Sequence, residues 1–221
     1  MVNSIFSEVQ NIIDRDLSLQ DALQRGYGNY SAIARMIKPK VTEALGRNVK
    51  LESIITSVKR AKVLYKPLKK DITKVLAEST INIRTDVSKV TIKKTDMVRE
   101  IIRKDLSKFL GEFLYVLEGV SVTTIIHDQR LFDEVCSMFQ KEDVLDKRQN
   151  LAAIVVQSPS DIVDMPGCIT AFYNQISRKH ISIQETVSCY TDTIIVLSMN
   201  DVGTAFTALT DLVAESRNSL K

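Results

Sequence analysis

A sequence of 221 residues fits one or two domains, and a hydrophobic content of 44% is enough for ordinary packed cores. No stretch approaches the roughly 18 uninterrupted apolar residues of a membrane-spanning helix. The N-terminus also lacks the basic region and apolar run of a secretory signal peptide. Cys136, Cys168 and Cys189 are odd in number and widely spaced, which argues against a disulfide framework and a zinc site. We therefore expect a cytoplasmic protein with no membrane partner.

The formal net charge of +3 is unevenly distributed along the chain. Between Arg35 and Lys74, twelve Lys and Arg residues face three acidic residues, so this stretch carries +9 and the remainder carries −6. A basic segment joined to an acidic body predicts two roles within one chain.

The first third of the sequence predicts a helical domain. Apolar residues recur there at the three- and four-residue spacing of amphipathic helices. Ser18 is expected to cap the second helix, and Asn29 or Ser31 the third. Pro39 lies inside the third helix, so we expect that helix to be kinked or broken there. The predicted helices cover residues 3–14, 19–25, 29–45 and 51–64.

Residues 80–94 alternate polar and apolar side chains around Thr85 and Asp86, which predicts a β-hairpin. Helices followed by a hairpin resemble a winged helix-turn-helix, a class of DNA-binding domain. The resemblance implies that Leu51–Leu64 is a recognition helix for double-stranded DNA and that the hairpin is its wing. A basic amphipathic helix is also typical of a solvated face or a protein-docking surface, and this alternative stays open. The residues implied in DNA binding are Ser53, Thr56, Ser57, Lys59, Arg60, Lys62 and Lys66 on the helix, and Arg84 and Lys89 on the wing.

The rest of the sequence repeats one order of predicted elements, namely strand, helix, strand, strand, helix. The first copy begins at Val87–Lys93 and the second at the apolar run Leu151–Val156. Neither copy has an obvious closing strand. Because an unpaired strand edge is usually covered, we expect each copy to borrow a strand from within the chain or from another copy. We therefore also expect a homo-oligomer, a dimer or higher. Residues 141–150, which are charged and mostly polar, are the predicted connection between the copies.

The second copy carries the loop Asp164-Met165-Pro166-Gly167, the strand His180–Ile183 and the helix start Asp201–Phe206. In that order these residues resemble an ACT domain, the small ferredoxin-like module that senses amino acids, and in particular the regulatory half of aspartate kinases. The first copy has Lys93-Lys94-Thr95-Asp96 in place of the Pro-Gly opening, and it resembles the module less closely. Together the two copies are similar to the paired modules of aspartate kinases.

The resemblance implies that an amino acid binds where the loop after the first strand meets the second strand, at an interface between modules. Free N–H groups at a helix start attract a carboxylate, and glycine lets a ligand approach the backbone closely. Ser182 and Gln184 stand where the kinases often have asparagine or aspartate, so the identity of the effector stays open. A turn and helix start without any ligand is the competing interpretation. The residues implied in ligand binding are Asp164, Met165, Pro166, Gly167, Cys168, Ile169, Ile183, Gln184, Thr191 and Asp192.

The sequence has no phosphate-binding loop, nucleophile elbow, dinucleotide-binding glycine pattern or cluster of His and Cys suited to a metal. His127 and His180 are far apart, and each lies near a predicted strand end, which is typical of a hydrogen-bonded structural histidine. The catalytic domain of aspartate kinases is missing, since residues 1–80 are too short and too helical to replace it. We therefore expect no enzyme activity, no catalytic residue, no metal and no cofactor.

These observations predict an α+β protein with a helical, winged-helix-like domain at residues 1–80 and a hairpin that reaches residue 94. Two ferredoxin-like ACT modules follow, at residues 81–146 and 147–221. The implied function is ligand-responsive regulation, most simply by an amino-acid-sensing transcriptional regulator. The alternative is an orphan regulatory subunit that binds and modulates an amino-acid biosynthetic enzyme, with the basic helices as its docking surface.

Overall fold

The computed structural model describes residues 4–65, 72–109 and 111–221. The chain divides into two compact units, Met1–Lys69 and Lys70–Lys221. The helix Thr73–Glu78 lies within the predicted helical domain at residues 1–80, but it falls in the second unit. In the described part of the chain, no helix is both long and apolar enough to cross a membrane.

The first unit contains four α-helices among its described residues. Ser4, Asp16 and Asn29 cap the first three, because each side chain accepts hydrogen bonds from backbone N–H groups at the helix start. The cap of the second helix is Asp16 rather than the predicted Ser18, since that helix begins earlier than expected. The helices are α1 Ile5–Asp14, α2 Leu17–Gln24, α3 Tyr30–Leu45 and α4 Leu51–Lys62.

Pro39 lies within α3, and the helix continues past it to Leu45. Pro39 and Arg35 are both exposed, so water can take the place of the N–H that the Arg35 carbonyl loses. The helix ends at Gly46, whose φ of 63° is the left-handed conformation typical of a helix C-terminus. The break expected at Pro39 therefore does not occur.

The apolar faces of α1 to α4 meet in one core. Val9, Leu23, Val41, Ile54 and Val58 are fully buried there. Burial of each such side chain contributes about 1.5–3 kcal/mol relative to exposure. The helical periodicity of this part of the sequence is confirmed, and it supplies the unit with a core of its own.

The second unit combines helices with a six-stranded antiparallel sheet, counted over its described residues. The strand order across the sheet is β2-β3-β1-β4-β6-β5. The predicted class, a mixed fold with an antiparallel sheet, is confirmed. In chain order the elements are α5 Thr73–Glu78, β1 Thr80–Lys93, α6 Asp96–Asp105, β2 Leu114–Glu118, β3 Val122–Asp128, α7 Phe132–Ser137, β4 Val144–Gln157, α8 Cys168–Arg178, β5 Ile183–Cys189, β6 Asp192–Ser198 and α9 Val202–Ser219.

β1 is one continuous strand, and the hairpin predicted at residues 80–94 is wrong. Thr85 and Asp86 lie inside this strand, which pairs with β3 on one side and with β4 on the other. These two residues interrupt the polar–apolar alternation as a turn would, but the interruption is a bulge within one strand. The predicted connection at residues 141–150 is likewise partly strand, since β4 begins at Val144.

Each half of the sheet takes an edge strand from the other half. Thr80–Arg84, the first part of β1, pairs with Ala153–Gln157 at the end of β4. In return Val144–Arg148, the first part of β4, pairs with Lys89–Ile92 of β1. The closing strand that each copy was expected to borrow is therefore supplied within the chain.

Two matching bulges mark the points where the long strands pass between the two halves. The pairing of β1 with β4 shifts by one residue after Arg84, and it shifts back next to Arg148. The bulges contain Asp86 in β1 and Asn150 in β4, each with a φ of 55°. Aspartate and asparagine are the side-chain-bearing residues that tolerate this left-handed conformation best. The two strands thus have the same kind of bulge, with a left-handed residue, at equivalent positions.

Successive residues of β4 face opposite sides of the sheet and enter different cores. Ile154 packs with α5, α8 and α9, whereas Ala153 enters a second core that the strands build among themselves. A third core joins β1 and β3 to α6 and α7. The strand core also receives Tyr115 from β2 and Val187 from β5, so the two outermost strands contribute to one cluster.

Candidate ligand-binding site

The turn that opens α8 is the part of the predicted site that the fold shapes most specifically. After β4, a short 3-10 turn at Ser160–Asp164 and an extended Met165 lead into Pro166 and Gly167. Gly167 has a φ of 99°, a conformation that L side chains rarely adopt, so this position requires glycine. Gly167 is also the N-cap residue of α8, and it has no side chain that could cap the helix. The N–H groups of its first turn are therefore left for water or a ligand.

The side chains around this turn mostly face the core. Cys168 is fully buried, and Met165 and Ile169 are partly buried against the same cluster. Burial raises the pKa of the Cys168 thiol, which keeps it neutral. Asp164 and Pro166 are exposed, so the turn presents one carboxylate to solvent in addition to its backbone.

Thr191 and Asp192 lie at the same end of the sheet as this turn. The N–H of Ser158, just after β4, donates to the backbone oxygen of Thr191 at 3.0 Å. Gln157, the last residue of β4, pairs with Asp192, the first residue of β6. The structure thus brings these two predicted residues beside the segment that leads to Gly167.

Ile183 and Gln184 lie at the other end of the sheet, so the structure does not bring them beside the turn of their own copy. Ile183 pairs with Leu197, five residues along β6 from Asp192, a distance of about 17 Å at 3.3 Å per residue. β4 and β5 are both antiparallel to β6 and hence parallel to each other. The start of β5 therefore lies at the end of the sheet that is farther from the turn after β4.

Tyr115, on β2 of the first copy, approaches the turn's end of the sheet instead. Its pKa is raised by burial and, to a lesser extent, by electrostatic interaction with Asp192 and Cys189. Tyr115 also packs in the strand core with Val155 and Val187. Tyr115 is not among the predicted site residues, because neither copy, taken alone, indicates which strand of the other copy it meets.

α4 carries most of the residues predicted to bind DNA, and they are not equally accessible. Thr56, Lys59 and Arg60 are exposed. Ser57 is buried, and its hydroxyl donates to the backbone oxygen of Ser53 at 2.8 Å. Ser57 is therefore part of the helix packing, and its predicted base contact is corrected.

Two cations of α4 contact aromatic rings of their own unit. The Arg60 guanidinium lies 4.6 Å from the ring centre of Phe6, and the Lys62 ammonium lies 5.8 Å from that of Tyr30. A crevice of about 650 Å³ beside Arg60 is lined partly by Ser53, Thr56 and Phe6. Lys66, the remaining predicted contact on this segment, lies outside the described residues.

Arg84 and Lys89, assigned to the wing, lie in the sheet and pair with acids. Lys89 is only 7% exposed, and its ammonium donates to the Glu185 carboxylate at 3.0 Å and lies 3.6 Å from Asp146. Arg84 donates to Asp128 at 2.5 Å. The wing assignment of both residues is corrected, because both lie in the continuous strand β1 rather than in a hairpin, and the Lys89 ammonium is already neutralised.

His127 and Asp128 end β3 as a buried polar pair. His127 is fully buried, and its Nδ1 lies 2.9 Å from the backbone oxygen of Asp128 and 3.2 Å from the Ser88 hydroxyl. Its Nε2 has no hydrogen-bond partner among the described residues. Burial lowers the pKa of His127. Hydrogen bonds from Arg130, and secondarily from Arg84, hold the pKa of Asp128 well below its usual range.

These two shifts predict an acid-sensitive sheet unit. Both folded-state pKa values lie below the unfolded ones, so the unfolded chain binds protons first and stability falls as pH falls. The first loss is expected below about pH 6.5, from His127, and a second below about pH 4, from Asp128. Urea unfolding across this pH range checks both steps. A His127→Gln variant should lack the first step, and retention of that step would contradict its assignment to His127.

Replacing Gly167 by alanine is expected to destabilise the unit by about 1–2 kcal/mol, because an L side chain is strained at a φ of 99°. Gly203 in α9 is the control, since an added Cβ there meets nothing within 4 Å. Alanine should stabilise that helical position by about 0.5–1 kcal/mol. Urea unfolding compares the two variants. Equal stability of Gly167→Ala and the wild type would contradict the conformation of the turn.

Within the described residues, His, Cys, Asp and Glu do not gather in any group of three that could hold a metal ion. Neither a family model nor a curated protein matches the sequence.

Solved structures share the fold. The ligand-free regulatory subunit of aspartate kinase from Thermus thermophilus has a TM-score of 0.51 at 9% identity, over 60% of this chain and 95% of that chain. Aspartate kinase from Synechocystis has a TM-score of 0.53 at 10% identity, over 62% of this chain and 27% of that chain. The Clostridium acetobutylicum enzyme has a TM-score of 0.50 at 14% identity, over 61% of this chain and 34% of that chain. This chain therefore spans about a third or less of the two complete kinases.

The sheet-bearing unit thus has the fold of the regulatory, ACT-type domains of aspartate kinases, rather than of their catalytic domain. The resemblance read from the Pro166-Gly167 turn is confirmed at the level of fold. None of these likenesses is to a DNA-binding protein, so they give no support to the predicted DNA contacts.

Proposed function

We propose that this chain is a ligand-responsive regulatory protein whose sheet-bearing unit binds an amino acid at the turn that opens α8. The observation that carries the proposal is the left-handed Gly167 at a helix start without a side-chain cap. Backbone N–H groups in that arrangement, together with the positive end of the helix dipole, attract a carboxylate.

The surroundings of the turn support an amino acid over a simple anion. Asp192 and the backbone oxygen at Thr191 lie at the same end of the sheet, where they can accept hydrogen bonds from an ammonium group. Tyr115 reaches this end from the first copy. A ligand held between the two copies would favour one of their arrangements, by no more than its differential affinity for the two.

A thermal-shift screen of the twenty amino acids tests this proposal. An amino acid present at 100 times its dissociation constant should stabilise the unit by about 2.7 kcal/mol. Gly167→Ala should weaken that effect and Gly203→Ala should not, because only the first substitution alters the turn. If none of the twenty shifts the melting temperature, the proposed effector class is wrong.

We propose double-stranded DNA as the partner of the helical unit, through the exposed Thr56, Lys59 and Arg60 on α4. The exposure of these residues on one face, within a segment of strong positive charge, supports this output. A mobility shift with random duplex DNA should be lost at high salt and in the Lys59→Glu, Arg60→Glu double variant. If the chain does not bind DNA at any salt concentration, the result would favour the alternative partner, an amino-acid biosynthetic enzyme to which the helical unit docks.

We also propose that the chain forms homo-oligomers through the open edges of β2 and β5. These strands end the sheet order, so each has one side without a strand neighbour in the described part of the chain. Such edges pair readily with another copy. Native mass spectrometry should show a dimer or larger species, and a monomer at all concentrations would contradict this proposal.

A further inference from the structure

Two crevices occupy equivalent places in the two copies, at the bulges of the long strands. The first has a volume of about 500 Å³ and the second about 460 Å³. Each lies between a bulge and the turn that follows the third strand of its copy. Val87 pairs with Asp128 beside the first crevice, as Leu151 pairs with Ser198 beside the second. The two crevices can therefore be compared residue by residue.

The first crevice contains an organised charge cluster. Asp128, only 3% exposed, accepts from the backbone N–H and the Nε of Arg130 at 3.0 and 2.9 Å. It also accepts from the Nη2 of Arg130 at 3.1 Å and the Nη2 of Arg84 at 2.5 Å. These four bonds use the acceptor sites of the carboxylate. Asp128 thus positions the two guanidinium groups and has no capacity left for a ligand.

The two arginines keep donors for a further partner. Among the described residues, no acceptor is hydrogen-bonded to Nε or Nη1 of Arg84, or to Nη1 of Arg130. Arg84 also lies over the ring of Phe113, at 5.4 Å from its centre, which limits its motion. The exposed Asp86 adds a carboxylate to the same lining, and the Thr85 hydroxyl donates to it at 3.1 Å.

The second crevice shows that the fold does not require these charges. Arg148 corresponds to Arg84, but Asn150, Ser198 and Asn200 stand in the places of Asp86, Asp128 and Arg130. The bulge at Asn150 has the same φ of 55° as the bulge at Asp86. Since the same backbone forms with uncharged residues, stabilisation of the bulge does not explain the cluster in the first copy.

We propose that the first crevice binds a small zwitterion, with its carboxylate on Arg84 and Arg130 and its ammonium on Asp86. An anion alone would meet the Asp86 carboxylate, and a cation alone would meet two guanidinium groups. A molecule with both charges complements both, and arginine pairs suit the planar carboxylate. The volume lies within the range of small-molecule sites. This site is separate from the Gly167 turn, and the proposal does not rest on the function proposed for that turn.

The test is an amide-resolved NMR titration of the full ¹⁵N-labelled chain with glycine, acetate and methylammonium, which are a minimal zwitterion and its two halves. Glycine should shift the amides of Thr85, Asp86 and Gln129 in a saturable manner. Acetate and methylammonium should bind at least tenfold more weakly. The amides of Gln184 and Asn200, which line the second crevice, serve as an internal control and should not respond, because that crevice lacks the charge set.

Two variants make the result specific. Asp86→Asn introduces the residue found at Asn150 and leaves the buried cluster intact. It should weaken glycine binding at least tenfold, because the ammonium loses its partner, and should strengthen acetate binding, because the repulsion by Asp86 is removed. Adding Asp128→Ser and Arg130→Asn copies the whole second crevice and should abolish the response. The proposal would be overturned by the absence of saturable glycine shifts, by equal shifts at Gln184 and Asn200, or by unchanged glycine binding in Asp86→Asn. Shifts confined to Gly167–Ile169 would also overturn it while supporting the effector site.

Discussion

Replacing Phe172 by alanine is expected to lower the free energy of unfolding of the sheet-bearing unit by about 3–5 kcal/mol. Phe172 is fully buried on α8, in the core between this helix and the sheet. The substitution removes a large apolar side chain and leaves a cavity that packed neighbours fill only in part. Urea unfolding measures the loss. Because α8 presents the Gly167 turn, effector-induced stabilisation should decrease as well.

Tyr190→Ala is the control for this experiment. Tyr190 is an aromatic residue of the same unit, in the turn between β5 and β6, and it is 73% exposed. Its removal should change the free energy of unfolding by no more than about 0.5 kcal/mol. A loss for Phe172→Ala as small as that for Tyr190→Ala would contradict the packing of α8 on the sheet.

Replacing Ile154 by alanine is expected to lower the free energy of unfolding of the sheet-bearing unit by about 2–5 kcal/mol. Ile154 is fully buried in β4, where it pairs with Ile83 of the borrowed segment on one side and Ile195 of β6 on the other. Ile83→Ala is the matched control, since it removes the same side chain from the paired position. Ile83 is 40% exposed, so Ile83→Ala should lower the free energy of unfolding by much less than Ile154→Ala.

The comparison of these two isoleucines tests the strand exchange itself. If Thr80–Arg84 lay in a separate hairpin, Ile154 would be in an edge strand of its sheet rather than between two neighbours. Equal losses for Ile83→Ala and Ile154→Ala would contradict the observed pairing. Guanidinium or urea unfolding followed by circular dichroism is sufficient for the measurement.

Local patterns in the sequence predicted the elements better than their partners. The apolar spacing in α1, α3 and α4 and the Pro166-Gly167 helix start are local, and the structure has them. The break in alternation at Thr85 and Asp86 is also local, but a hairpin turn and a bulge disturb the pattern in the same way. The two differ in whether the flanking segments pair with each other or with β4, and that depends on residues more than fifty positions away.

The same limit explains which site residues were misplaced. Lys89 has the sequence context of an exposed wing, yet Glu185 and Asp146, which neutralise it, are distant in the chain. Gln184 was assigned to the same ligand site as the α8 turn because of the resemblance to a single module. That resemblance does not indicate which strand of a neighbouring module faces the turn. Tyr115 and Asp128 carried only weak signals, a hydroxyl within an apolar strand and a polar pair at a strand end. The role of Tyr115 becomes visible only when the two copies are paired, and that of Asp128 only when β1 is placed beside β3.

The most direct test of the effector site is an amide-resolved titration of the full chain with each of the twenty amino acids. We predict that at least one of them saturates shifts at Gly167, Cys168 and Ile169 and at Asp192, while the amides of Ile183 and Gln184 remain unchanged. If the α8 turn stays unmoved by all twenty, then its open backbone donors bind only water, and the chain's regulatory input lies elsewhere.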